Sequence, residues 1–224
     1  MTARDDILGG IRRSLGRSAL SGAPADEIAE RVAAHRRNLI PARAASLDAS
    51  GQVDLFVQMA EAVQTTVTRV AADGDVPAEV ARYLAAENLP AEVKVAPDPS
   101  LDALPWEERP LLQIRRGKAE PGDAVSLTPC LAAVAETGTL MLASGEGTPT
   151  TLNFLPDTHI VVLRAGQVMA SYEDGWDLLR SKGALPRTVN FITGPSRTGD
   201  IEQRIELGAH GPRRLHVILV GAEN

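Results

Sequence analysis

The chain has 224 residues, a length that suits one α/β core with an appendage, and its 44% hydrophobic content rests on Ala, Val, Leu and Ile because aromatics make up only 3%. Its net charge of −6 excludes a general nucleic-acid binder, which needs an excess of Lys and Arg along one face. No apolar run approaches the roughly 18 to 20 residues that cross a bilayer, and Asp5 and Asp6 stand where a signal peptide carries its basic region, so no membrane span and a cytoplasmic location are expected.

Cys130 is the only cysteine, so the chain forms no internal disulfide and cannot by itself supply the thiolates of an iron–sulfur cluster or a structural zinc. Following Pro129 and leading into Leu131-Ala-Ala-Val, it reads as a buried small hydrophobe. The charge is uneven. Residues 1–45 carry eight Arg against five acids, a net +3, which leaves −9 for the remainder of a chain of net −6. That asymmetry fits an arm lying on an acidic body or, equally, a solvated helical face.

In chain order, Arg4 to Arg17 places Ile7, Leu8, Ile11 and Leu15 at helical spacing behind Thr2, a capping residue. Gly9 and Gly10 each cost about 1 kcal/mol relative to Ala, so this amphipathic helix needs a surface to rest on. Another subunit is the favoured surface, which makes the arm a route to a homo-oligomer. A membrane surface is the competing one, although the apolar stripe lacks Trp and Phe. A second helix is expected over Asp26 to Asn38, and the loop from Pro41 to Gly51 separates an N-terminal helical arm, residues 1–45, from an α/β body, residues 46–224.

The body opens with a helix carrying Phe56, Val57, Ala60 and Val63, then the alternating strand Thr66 to Val70. A helix from Pro77 to Leu84 and a strand from Glu92 to Ala96 continue the interleaving that marks an α/β sheet. Further strands are expected over 111–114, 124–127, 131–135, 140–143, 160–163, 189–192 and 215–220, with a helix over Glu173 to Lys182 and a short one over Thr198 to Ile205. One open, largely parallel twisted sheet covered by helices is the economical arrangement.

Ligands of open α/β sheets gather where strand ends run into loops, and two loops fit. Gly194-Pro-Ser-Arg-Thr-Gly-Asp200 follows a strand: Gly194 permits a tight turn, Pro195 stiffens it, Ser196 or Thr198 can cap the next helix, and Arg197 offers a fork suited to carboxylate or phosphate. Asp200 favours that helix's dipole. Ala135-Glu-Thr-Gly-Thr139 lies between apolar runs, so Glu136 should be buried and either satisfied by neighbouring hydroxyls and N–H groups or acting on something bound. The ligand-binding candidates are therefore Glu136, Thr137, Gly138, Thr139, Gly194, Pro195, Ser196, Arg197, Thr198 and Asp200. Glu136 and His210, the latter held in the turn Gly208-Ala-His-Gly-Pro212, are the candidates for proton transfer. Ser144 to Thr151 lacks the dinucleotide fingerprint and reads as a turn. His159 and His216 read as strand-end histidines with satisfied nitrogens, and no metal-ligand pattern emerges.

With those residues laid out, the chain resembles the LUD (lactate-utilisation) domain family. The likeness rests on Ala135-Glu-Thr-Gly-Thr139, Leu155-Pro-Asp-Thr-His-Ile-Val-Val162, Gly194-Pro-Ser-Arg-Thr-Gly-Asp-Ile201 and Leu207-Gly-Ala-His-Gly-Pro-Arg-Arg-Leu-His216, together with the opening helix. Thr148 to Phe154 departs from the pattern in being less rich in Arg and Ser. The resemblance implies a fold similar to the sugar-phosphate isomerase and CoA-transferase group. It also implies a role beside iron–sulfur partner proteins in oxidising L-lactate to pyruvate, with no cofactor on this chain and the clusters on the partners. An accessory or ligand-binding subunit of such a system is the leading expectation. A stand-alone enzyme or sensor for a small carboxylate, sugar phosphate or CoA ligand is the alternative.

Overall fold

The computed structural model describes residues 2–37, 39–201 and 204–222, and the side chains among them outside 198–207. The chain divides into two compact units, Met1–Leu39 and Ile40–Asn224.

The smaller unit holds α1 (Ala3–Ser14) and α2 (Ala23–Ala34). Thr2 closes a capping box with Asp5, its hydroxyl accepting from the Asp5 amide at 3.3 Å while the Asp5 carboxylate accepts from the Thr2 amide at 2.9 Å. Those hydrogen bonds to Thr2 hold the Asp5 carboxyl below its ordinary value. Neither helix buries a residue, and Ile7, Ile11 and Leu15 stand exposed along one stripe.

In the larger unit the elements run α3 (Ala42–Ala45), α4 (Ala49–Ala62), β1 (Thr66–Val70), α5 (Val76–Ala86), β2 (Glu92–Val95), α6 (Pro99–Asp102) and β3 (Gln113–Arg116). There follow β4 (Val125–Pro129), β5 (Ala132–Val134), β6 (Thr139–Ala143), α7 (Thr151–Phe154), β7 (Thr158–Arg164), β8 (Val168–Met169), α8 (Tyr172–Ser181), β9 (Val189–Ile192), β10 (Arg197–Ile201), β11 (Arg204–Leu207) and β12 (Arg214–Val220).

The strands expected beyond residue 111 divide between two sheets. One is six-stranded and wholly parallel, in the order β1-β12-β7-β4-β2-β3. Its central strands β7 and β12 are buried along almost their whole length, each around an apolar run of four residues, as strands covered on both faces are. Alternate residues feed two cores: Ile160, Val162 and Ile218 pack with Val80 and Leu84 of α5, whereas Val161, Leu163, Val217 and Leu219 pack with Phe56 and Ala60 of α4. That second core also takes in Ala133, Leu140 and Leu142 of the other sheet, which has the order β8-β5-β6-β9. The far face of this smaller sheet is covered by α8 through Leu179 and Trp176. Ser171 starts α8 with a capping box to Asp174.

One expected element is overturned. The stretch from Thr198 to Ile205 is not a helix: β10 and β11 form an antiparallel hairpin that pairs Arg197 with Leu207 and Ile201 with Arg204. Gly199 penalises a helix there by about 1 kcal/mol, and the β-branched Thr198, Ile201 and Ile205 favour extended backbone.

Candidate functional site

Both candidate loops converge on the C-terminal end of α4. The first is the four-residue turn, 135–138, of the β5–β6 hairpin. Gly138 has φ +66° and presses on the backbone of Met59 and Ala60, where no Cβ fits. In the second loop Gly194 has φ +81°, and a Cβ there would lie 2.6 Å from the Val63 carbonyl oxygen. Glycine is therefore required at both positions by the close approach of one helix end.

Hydroxyl groups join the loops. Thr139 Oγ1 lies 2.7 Å from Thr193 Oγ1, 2.7 Å from Thr137 Oγ1 and 2.9 Å from the Tyr172 hydroxyl, which is 3.0 Å from Thr137. Four hydroxyls make four mutual contacts, and each hydroxyl has one hydrogen to give. The cluster consumes its own donors, so toward a further group it offers lone pairs alone. It holds the loops together.

Glu136 is 8% exposed, and Arg43 donates to its backbone carbonyl. Its Oε2 has no hydrogen-bond partner among the described residues, and the Thr137 hydroxyl is directed to Thr139 and Tyr172. Arg197 does not reach into a ligand space: its Nη2 donates to the Val63 carbonyl at 2.6 Å, where the cation also meets the favourable end of the helix dipole. Ser196 caps no helix, since none follows. Its amide donates to Pro212 O at 2.8 Å and its carbonyl accepts from Gly208 at 3.0 Å, which ties this loop to the His210 turn. The side chains of Thr198 and Asp200 lie outside the described residues.

A cavity of about 230 Å³ opens beside the second loop. Gly194, Pro195, Ser196 and His210 line it, as do Asn153, Phe154, His159, Phe191 and Thr193. Its position departs from the expectation for open sheets. His159 and Leu215 are the second residues of β7 and β12, so the cavity sits at the amino ends of the central parallel strands, where the carboxyl end of β9 meets them. Sequence reasoning assigned His159 satisfied nitrogens. Its Nε2 is 2.8 Å from Thr128 Oγ1, but Nδ1 has no partner among the described residues. Burial pushes the ring down to about 3, so it is neutral near pH 7. Asn153, Phe154 and Phe191 were also missed, and no local signal marks them, since a cavity is defined by what packs around it.

A second cavity, of about 330 Å³, lies at the carboxyl edge of the parallel sheet between Asp98, Cys130, Arg164 and Lys182. Arg164 pairs with Asp73 at 3.0 Å. The Cys130 thiol faces inward, 2.9 Å from Ala132 O, and burial pushes it up to about 12, which leaves it protonated and inert. His216 stacks on Tyr83 with ring centroids 4.0 Å apart, and its Nδ1 lies 2.8 Å from Thr66 Oγ1 while Nε2 lies 3.3 Å from Glu79 Oε1. No cluster of three metal-ligating side chains occurs among the described residues, and no helix there is long and apolar enough to cross a membrane.

A six-stranded parallel sheet joined to a hairpin-bearing second sheet, with the Glu-Thr-Gly-Thr turn seated on α4, defines the chain as an α/β protein. The LUD domain family model matches residues 53–220, and the chain belongs to that family. It is similar to a protein named "Lactate utilization protein C" from Deinococcus radiodurans, 39% identical over 118 residues that cover 51% of this chain and 53% of the relative. The Bacillus subtilis protein of the same name is 33% identical over 107 residues, 46% of this chain and 44% of the relative. The chain thus spans about half the length of these curated relatives. Among solved structures, a DUF162 family protein from Deinococcus radiodurans is similar with a TM-score of 0.59 at 25% identity, covering 78% of this chain and 99% of that one.

Proposed function

We propose that this protein is a ligand-binding, accessory component of an L-lactate utilisation system that works in the cytoplasm. The observation that carries the reading is the recurrence of the name "Lactate utilization protein C" among its relatives. Oxidising L-lactate to pyruvate releases two electrons and two protons, and a chain with one cysteine cannot by itself ligate a cluster to receive the electrons. The acceptors belong on iron–sulfur partner proteins. The arm, with its exposed Ile7, Ile11 and Leu15, is the surface for docking onto such a partner or a second copy. The cavity lined by His159 and His210 is the site for a small acid.

Tagged protein produced beside its neighbouring lactate-utilisation genes should retain cluster-bearing partners on purification, and deletion of its gene should impair growth on L-lactate. Absence of such partners together with normal growth overturns the reading.

The cavity at the carboxyl edge supports a second reading, a stand-alone binder of a phosphate or CoA ligand, because Arg164 and Lys182 flank it. A true ligand at 100 times its dissociation constant stabilises the fold by about 2.7 kcal/mol. A thermal shift with sugar phosphates or acyl-CoA that Lys182→Ala abolishes would favour this second reading.

A further inference from the structure

Helix α1 covers nothing with its apolar face. It buries no residue, and Ile7, Ile11 and Leu15, four residues apart, stand exposed along one stripe. A 12-residue helix is marginal by itself in water, so the stripe requires a partner. The LUD match begins at residue 53, which leaves this helix outside the matched part of the chain, and its partner is read from its own side chains.

The charges of α1 select that partner. Acids occupy its first turn, at Asp5 and Asp6, and cations its last, at Arg12 and Arg13. A parallel pair of such helices gathers four Asp at one end and four Arg at the other, where like charges repel. An antiparallel pair sets acid against cation at both ends and opposes the two helix dipoles. Asp5 and Arg12, seven residues or about two turns apart, share a flank of the helix. Turning one copy end for end about Gly9 puts Ile7 opposite Ile11, Ala3 opposite Leu15 and Asp5 beside Arg12 of the second copy. Two-fold symmetry makes each of these contacts twice. One register therefore satisfies the stripe and the charges together.

Two local details agree with that register. The hydrogen bonds that Asp5 accepts from the Thr2 amide and hydroxyl both use Oδ2, which leaves Oδ1 for a cation. A Cβ at Gly10 would meet nothing within 4 Å, so no contact inside the chain requires this glycine, although glycine weakens a helix. Beside Ile7 and Ser14 on the helix surface, it lets a second backbone come close.

We propose that two copies of this chain associate through an antiparallel pair of α1 helices, with Ile7 of each on Ile11 of the other and Asp5 of each paired with Arg12 of the other. The inference rests on the arm being the docking surface of the reading above and names the second copy as its occupant. A helix of 12 residues is about 18 Å long, so the contact is smaller than the roughly 1,200 to 2,000 Å² of stable interfaces and should dissociate on dilution.

Sedimentation equilibrium of the full chain over a range of concentrations should show a dimer in exchange with monomer, and Ile11→Asp should raise its dissociation constant about tenfold or more. Orientation is read by disulfide trapping, with which the buried Cys130 does not interfere. Ala3→Cys mixed with Leu15→Cys should cross-link, whereas Ala3→Cys alone should not, because the two copies of residue 3 lie about 18 Å apart along the antiparallel pair. A folded chain that is monomeric at every concentration overturns the proposal, the result given by an arm laid on its own body or kept for another protein. A dimer that Ile11→Asp leaves unchanged overturns it as well, as does cross-linking of Ala3→Cys with itself and not with Leu15→Cys. Each of these can occur while cluster-bearing partners still co-purify, and loss of those partners leaves the dimer intact, so the two failures are distinguishable.

Discussion

Thr139 Oγ1 and Thr193 Oγ1, 54 residues apart in sequence, lie 2.7 Å from each other and couple the β5–β6 turn to the loop after β9. The contact sits beside the backbone pairing of Leu140 with Ile192, so the register of two antiparallel strands brings the loops together. Thr139 is fully buried and touches three hydroxyls, which makes it the centre of the cluster.

Thr139→Val keeps the shape and removes that centre. The loss should be about 1 to 3 kcal/mol, lowering the melting midpoint by roughly 2–4 °C per kcal/mol for a chain of this size. Thermal denaturation beside Thr139→Ser, which keeps the hydroxyl and should retain most of the stability, checks the cause.

Gly138→Ala forces a Cβ into the backbone of Met59 and Ala60 at positive φ, and should destabilise by more than about 2 kcal/mol. Gly166→Ala, where a Cβ meets nothing within 4 Å, should stay within about 0.5 kcal/mol of the parent. Denaturant midpoints of the two variants test the contrast.

Acid should destabilise the fold in two windows. Burial pushes the Glu79 carboxyl up, but hydrogen bonds from Arg82, His216 and Thr68 outweigh it and hold the group at about 2, below its ordinary 4.5. The folded state therefore binds fewer protons than the unfolded one, and this contribution is complete above about pH 4.5 and lost as pH falls through about 2. His159, pushed by burial from 6.5 to about 3, contributes fully above about pH 6.5 and loses its contribution as pH falls toward 3. Melting curves across pH should show Glu79→Gln flattening the lower window and His159→Phe the upper.

Arg197→Ala should act on stability and not on binding. Removing its hydrogen bond to the Val63 carbonyl should cost about 1 kcal/mol in thermal unfolding. Affinity for any acid in the His159 cavity should change less than about twofold by titration, since Arg197 does not line it.

Cys130 should resist thiol reagents in the native protein and react once denaturant exposes it, because the thiol is 5% exposed and pushed up to about 12. A colorimetric thiol assay before and after unfolding reads this directly.

Much of the fold was legible in the sequence because it rests on local pattern. The 3.6-residue period of α4 and α5 and the apolar runs of β7 and β12 follow from which face each element buries. The capping residue Thr2 states where its helix begins. The Thr198 to Ile205 stretch was misread as helix because its extended form depends on a paired strand, and a pairing between two short segments leaves little mark on either.

The sequence by itself determined that the chain is an α/β protein without the cysteines of a redox centre, and it marked the two turns whose glycines and hydroxyls matter. Tertiary structure decided what those turns do. Arg197 finds its acceptor 134 residues away at Val63, the C-cap of α4, Thr139 finds Thr193, and His159 reaches Thr128 on a neighbouring strand. The physical reason is that helix periods, caps and turn residues are set by neighbours along the chain, whereas a cavity and its donors exist only once distant strands have paired and packed.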